Sequence, residues 1–92
     1  MQIHLQSRAV QRLENLLSSD NQIDVLQGEA LSSAVDGLAR TPRPFEATLL
    51  QSADRTNDRQ LWNLLVGRYR IVYEIRDDLD RLTILDFRTG VS

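Results

Sequence analysis

Ninety-two residues, 41% of them hydrophobic and 26% charged, suit one small globular domain and argue against a disordered chain. The absence of cysteine excludes disulfide staples, thiolate metal sites and cysteine nucleophiles, and fits a reducing cytosol. A net charge of −2 and a pI of about 5.2 argue against tight, non-specific binding to RNA or DNA, because such binding draws most of its affinity from neutralising phosphates.

The opening "MQIHLQSR" carries no long apolar stretch, and no run in the chain is long enough to span a bilayer, so the protein reads as cytoplasmic, without membrane contact. "MQIHLQ" alternates, with Ile3 and Leu5 on one face and His4 and Gln6 on the other, which predicts a short first strand. Ser7 can then cap a helix in which Val10, Leu13, Leu16 and Leu17 follow at helical spacing, with Arg8, Arg12 and Glu14 facing water. "SSDN" at 18–21 breaks it. A longer helix is predicted over 22–39, with Ile23, Leu26, Ala30, Ala34 and Leu38 as one apolar stripe, widened by Leu31 and Val35. Gly28 and Gly37 each weaken it by about 1 kcal/mol relative to Ala, but small residues let a neighbour pack closely. "TPRP" at 41–44 stops the helix, since proline lacks an amide hydrogen and biases its predecessor away from helix.

Residues 45–50 are expected to return toward the core, and the polar stretch 51–60 to form a long, mobile loop. Three strands follow, at 61–66, 69–76 and 82–87. Gly67-Arg68 joins the first two as a two-residue hairpin that begins with glycine, and "DDLD" at 77–80 joins the last two through solvated turn residues. The tail from 88 to 92 is expected to fray. Strand, two helices, then three strands make an α+β fold: an antiparallel sheet with both helices packed on one face, the first strand pairing with one of the later three.

Side chains alternate across a strand, so Ile71, Tyr73 and Ile75 belong to the core side, and Arg70, Val72, Glu74 and Arg76 to the open side. With Gly67-Arg68 as the turn, Val66 pairs with Tyr69, Leu65 with Arg70 and Asn63 with Val72. Arg70 therefore stands among one amide and two aliphatic side chains, without other cations. It is either a solvated strand arginine, paired with Glu74 or Asp86 for about 0–1 kcal/mol, or a functional one. All eleven basic residues are arginine, which favours planar, bidentate partners, and Arg68, Arg70, Arg76 and Arg81 cluster near the hairpins. Trp62 shares a face with Leu64 and reads as core; exposed, it would stack a base or anchor a partner helix. Phe87 and Tyr69 are similar, with Tyr69 half exposed beside the turn. His4 has no acidic or basic neighbour in sequence, and reads as a polar residue on the outer sheet face rather than a general base. With no histidine pair and no tight carboxylate cluster, neither a metal nor a cofactor is expected.

"VGRYRIVYEI" (66–75) resembles the signature strand of the RelE/ParE superfamily, the toxin halves of bacterial toxin–antitoxin pairs. "ALSSAVDGLARTPRPFEATLL" (30–50) is similar to that family's second helix, its proline-bearing stop and the segment leading to the sheet, and "SRAVQRLENL" (7–16) to its first helix. The resemblance covers nearly the whole chain and keeps the element order. It implies a compact strand–helix–helix–three-strand fold and an antitoxin partner whose partly disordered segment folds as it wraps the toxin. Such wrapping uses exposed apolar grooves or free sheet edges, and Leu65 and Val72 are the candidate contacts here. It also implies that the chain can form a homo-oligomer through the same apolar surface when the antitoxin is absent.

Activities within the superfamily diverge. Some members cleave mRNA at the ribosome, gyrase-poisoning members share the fold without that chemistry, and some relatives have no demonstrated toxicity. Arg70 matches the family arginine that helps bind the scissile phosphate in nuclease members, a role suited to a guanidinium. Arg68, Arg70 and Arg88 are the candidate phosphate-binding set, and Arg70 the candidate catalytic residue. Asn63 and Leu65 stand where nuclease members often carry basic residues, and neither stabilises an anionic transition state as a cation would. No His or Tyr follows the last strand. The resemblance thus sets an antitoxin-binding toxin, with mRNA cleavage and gyrase inhibition as alternatives, as the expectation.

Overall fold

A computed structural model describes residues 1–52 and 59–89. In chain order the elements are β1 (Gln2–Leu5), α1 (Ser7–Leu17), α2 (Gln22–Arg40), β2 (Thr48–Ser52), β3 (Arg59–Val66), β4 (Tyr69–Arg76), a single 3-10 turn (Asp77–Leu79) and β5 (Arg81–Thr89). The strands form one sheet in the order β1-β5-β4-β3-β2.

The strand–helix–helix–strands order is the expected one. The 69–76 strand and the hairpin register match the reading in full: Val66 pairs with Tyr69, Leu65 with Arg70 and Asn63 with Val72. Gly67 adopts φ +60°, and Arg68 is not among the residues with positive φ, so glycine occupies the one left-handed position of the turn. Gln27 of α2 grips this turn through its backbone. Its amide nitrogen donates to the Val66 carbonyl at 3.0 Å, and its amide oxygen accepts from the Arg68 N–H at 3.2 Å.

Four expectations change. Residues 48–52 are a fifth strand, pairing antiparallel with β3, so the segment after the second helix runs along the sheet edge instead of entering the core. Phe45 is 99% exposed. The polar stretch at 51–60 contributes its ends to β2 and β3, while 53–58 lie outside the described residues. β1 pairs with β5 in parallel, Ile3 opposite Leu82 and Leu5 opposite Ile84, because two helices carry the chain across before it returns. β5 continues through Arg88 and Thr89, which pair with Arg70 and Tyr69; residues 90–92 of the expected frayed tail lie outside the described residues.

The helices differ in detail as well. Ser7 is the first helical residue of α1, and Gln6 stands at its cap without a side-chain bond; its N–H donates instead to the Ile84 carbonyl at 3.0 Å, so the chain enters the helix straight from sheet pairing. In α2, Asn21 caps the N-terminus by accepting the Ile23 N–H at 2.8 Å. The buried face of this helix is Gly28, Leu31, Val35 and Leu38. Of the predicted stripe, Leu38 is buried and Ala34 packs partly buried against the core, whereas Ile23, Leu26 and Ala30 lie roughly 130° around the helix from the buried face, at 100° per residue, and Ile23 and Leu26 face solvent at 63% and 57% exposure.

The core is built from Ala9 and Leu16 of α1, that face of α2, and the inward side chains of β3, β4 and β5: Leu64, Ile71, Tyr73, Ile75, Leu82, Ile84 and Phe87. Trp62 is half-buried against it, opposite Tyr73. The Tyr73 hydroxyl donates to the Pro42 carbonyl at 2.9 Å, tying the proline stop of α2 to the sheet. Burial pushes the Tyr73 phenol up to about 12, against a smaller downward pull from the Arg43 guanidinium. Arg43 donates to the Gln60 amide oxygen and to Asp77 at 2.7 Å, and its guanidinium stands 5.9 Å from the centre of the Trp62 ring. Among the described residues, no helix is long and apolar enough to cross a membrane.

Candidate functional site

The helices cover one face of the sheet, and the opposite face is open. Its centre is an open concavity of about 870 Å³, walled by Leu50, Leu61, Val72 and Leu85 and by residues 5–8 where β1 runs into α1. Arg8, Arg70, Arg88 and Asp86 supply its charge. Neighbouring register brings them together. Arg70 and Arg88 are direct cross-strand partners on β4 and β5, and Asp86 faces Val72 one step along.

A β-bulge makes this arrangement possible. Val72 pairs with Asp86 and Tyr73 with Ile84, so Leu85 is the extra residue on β5. The added residue shifts the alternation. Ile84 and Phe87 both point into the core, and Asp86 joins the open face beside the arginines. The Asp86 carboxylate is nevertheless buried, with 7% of its side chain exposed. It accepts the Phe87 N–H at 2.9 Å and the Arg88 Nε–H at 3.4 Å, and forms an ion pair with Arg12 of α1, whose Nε stands 3.1 Å away. A buried carboxylate needs such partners, since the desolvation of an unpaired one costs several kcal/mol.

The candidate residues are placed as follows. Arg70 is half-buried in the concavity, and among the described residues no ion pair holds it: Glu74 pairs with Arg59 at 2.8 Å and Asp86 with Arg12 and Arg88. Arg88 shares the concavity with it, and Arg68 does not; Arg68 is an exposed turn residue. Val72 lines the concavity, while Leu65 is 60% exposed outside it. The expectation that Arg70 stands without cationic company is corrected: Arg8 and Arg88 join it, one from the helix entry and one from the strand extension past 87. Arg76 and Arg81 form a second arginine rung with Arg59, at the far end of the same face. Arg76 pairs with Asp78 there, and that hydrogen bond is the main reason the Asp78 carboxyl sits below the usual carboxylate range. His4 is exposed on β1 opposite Thr83, outside the concavity. Among the described residues, no group of three or more His, Cys, Asp or Glu is placed to hold a metal.

Sequence reasoning missed Arg8, Arg12 and the buried state of Asp86. Strict alternation from Ile84 would set Asp86 on the core side, and only the extra residue Leu85 returns it to the open face, where it is nevertheless buried.

A two-helix layer on a five-stranded sheet, with an arginine-bearing open face, defines a toxin of the RelE/ParE superfamily. The chain matches the family described as the ParE toxin of type II toxin–antitoxin systems, parDE, over residues 3–90, and it belongs to that family. Among solved structures, it is similar to the archaeal RelE in its complex with RelB from Pyrococcus horikoshii OT3, at 18% identity and a TM-score of 0.78, over 97% of this chain and 93% of that one. It is also similar to a metal-bound toxin from Helicobacter pylori, at 16% identity and a TM-score of 0.59, over 97% and 93% of the two chains. The isolated RelE toxin of E. coli matches at 14% identity and a TM-score of 0.58, over 99% and 85%. At these identities the likeness is one of fold. No curated protein matches the sequence.

Proposed function

We propose that the protein is a toxin whose first activity is capture of a cognate antitoxin, and that it acts on its cellular target by binding instead of cutting RNA. The observation that carries the capture is the uncovered apolar stripe of α2, Ile23 and Leu26, with Leu17 of α1 41% exposed nearby in sequence. Large aliphatics aligned on one side of a helix and left in water mark a surface that another chain covers. The similar structure from P. horikoshii is a RelE–RelB complex, which supports a protein partner of this kind. The test is co-expression with the product of the adjoining reading frame. A stoichiometric complex is expected. Ile23→Glu or Leu26→Glu is expected to weaken it by about 2 kcal/mol or more, the scale of an interface anchor. A complex indifferent to both variants would count against the stripe.

The reading against RNA cleavage rests on the concavity. Cleavage needs a group that takes a proton and one that returns it. Among the described residues lining the concavity there is no His, Lys or Tyr, and its carboxylate is committed to two arginines. A second reading, a ribosome-dependent mRNA endonuclease, is favoured by the convergence of Arg8, Arg70 and Arg88. Primer extension on translated messages after induction separates the two. No new cuts are expected, and discrete cuts lost in Arg70→Ala would establish the endonuclease. A target such as gyrase is compatible with the binding reading, and inhibition of supercoiling by the purified protein is its assay.

A further inference from the structure

Arg68 stands outside the concavity, yet its place is fixed. The half-buried Gln27 side chain holds the turn by two hydrogen bonds, one to the Val66 carbonyl and one from the Arg68 N–H. Gly67 makes room for it: a Cβ there would stand 2.5 Å from the Gln27 amide oxygen. Around α2, at 100° per residue, Gln27 lies roughly midway between the exposed stripe and the buried face. The hairpin tip is therefore pinned along one flank of Ile23, Leu26 and Ala30, and the exposed Arg68 rims that flank. The opposite flank carries Glu29, also exposed. Among the described residues, neither Arg68 nor Glu29 holds an ion pair.

We propose that the surface which captures a partner is a composite of the α2 stripe and the hairpin tip, and that its two charged rims select an amphipathic helix with carboxylates along one flank of its apolar face and cations along the other. The proposal rests on the reading that a partner covers the stripe. Ile23, Leu26 and Ala30 recur at i, i+3 and i+7, the row of side chains that packs into the groove of another helix. Arg68 draws the acidic flank of that helix and Glu29 the basic one. Together they fix which way round the partner lies, because the reversed setting would bring like charges face to face. Gln27 is the positioning residue. It holds the tip against α2 before the partner arrives, so the tip needs no ordering on binding. The turn arginine thereby has a task separate from the concavity: it reads the partner's charge.

The experiment is calorimetric titration of the chain with the purified product of the adjoining reading frame. Arg68→Glu combined with Glu29→Arg reverses the two rims and leaves net charge, stripe and core as they are. It is expected to weaken binding at least about tenfold, as like charges set against each other would. Arg68→Glu alone is expected to cost about fivefold. Arg40→Glu makes the same charge change about 15 Å past Ala30, at 1.5 Å per residue, and is expected to cost no more than about twofold. Gln27→Leu adds apolar area to the stripe but frees the turn. Weaker binding and faster hydrogen exchange at the Arg68 amide are expected, and in that background the Arg68→Glu loss is expected to shrink to about twofold. Unchanged affinity in the charge-swapped protein, or equal losses in Arg68→Glu and Arg40→Glu, overturns the charged rims. Tighter binding in Gln27→Leu overturns the role of the tip. A loss in Ile23→Glu without one in the swapped protein removes this inference and leaves capture by the stripe standing; no complex at all, or no loss in Ile23→Glu, removes both. A free chain that sediments as a dimer and is split by Ile23→Glu assigns the surface to a second copy and overturns the proposed occupant.

Discussion

Replacing Tyr73 with phenylalanine separates two effects that the structure places on one hydroxyl. Near neutral pH, the substitution removes the bond to the Pro42 carbonyl and leaves the ring in place. A neutral hydrogen bond of this kind contributes about 1 kcal/mol, so Tyr73→Phe is expected to lower stability by that amount and the melting temperature by roughly 4–8 °C for a domain of this size. At high pH the sign reverses. The phenol is pushed up to about 12 in the fold from 10.0, so the unfolded chain loses its proton first. Between those values the folded state binds more protons, and stability falls as pH rises. The loss is fully absent below about pH 10 and reaches an upper bound of about 2.7 kcal/mol above pH 12, at about 1.36 kcal/mol per unit. The stability curves of the two proteins should therefore cross near pH ~10.7, where the wild-type loss equals the ~1 kcal/mol of the hydrogen bond. Urea unfolding followed by the fluorescence of the single tryptophan, repeated from neutral to alkaline pH, measures both arms. Parallel pH slopes in the two proteins would mean that ionisation of Tyr73 is not what opposes the fold.

Gly37→Ala is expected to stabilise the domain by about 0.5–1 kcal/mol, since a Cβ there meets nothing within 4 Å and alanine is the better helix former. Gly28→Ala, in the same helix, is expected to destabilise it: the Cβ would stand 3.0 Å from Leu17 Cδ2 and 3.1 Å from Leu16 Cβ, and Leu16, whose Cβ is fixed to the α1 backbone, would have to give by a few tenths of an ångström. Urea midpoints of the two variants should move in opposite directions. Gly67→Ala places a side chain at φ +60° and 2.5 Å from the Gln27 amide oxygen, and a loss of about 1–2 kcal/mol is expected by the same assay. Arg43→Ala removes the cation over Trp62 and the contact with Asp77; a loss of about 1 kcal/mol, a changed Trp62 emission and a tyrosine titration displaced further upward are the expected results.

The parts of the fold that rest on local chemistry were legible in the sequence. Alternation placed Ile71, Tyr73 and Ile75 on the core side, Gly67-Arg68 marked the turn, and proline marked the end of α2. What depended on long-range pairing was not. β2 is short and carries Leu49 and Leu50 in succession, so its pattern is not a strand's alternation, and only its pairing with β3 defines it. The apolar stripe of α2 was visible, but both sides of the helix are apolar, and periodicity alone could not say which side the sheet and α1 would take. The site divided in the same way. Arg70 was identified from its strand, and Arg88 from the family resemblance. Arg8 and Arg12 come from a helix that alternation cannot orient against the sheet, and the position of Asp86 follows from a bulge that inserts one residue without a signature in composition.

The parallel seam between β1 and β5 has a consequence for the order in which this chain assembles. Its two halves, Gln2–Leu5 and Arg81–Ile84, are separated by almost the whole domain, and joining them costs roughly 2 kcal/mol more entropy than closing a loop of about ten residues. The hairpin of β3 and β4 has no such delay. On loop-closure entropy alone, β1 is expected to join the sheet after that hairpin has formed. Because Arg8 enters its helix directly from that strand, the arginine cluster is completed only when the opening residues dock, and an early release of them would dismantle it while the rest of the sheet still stands.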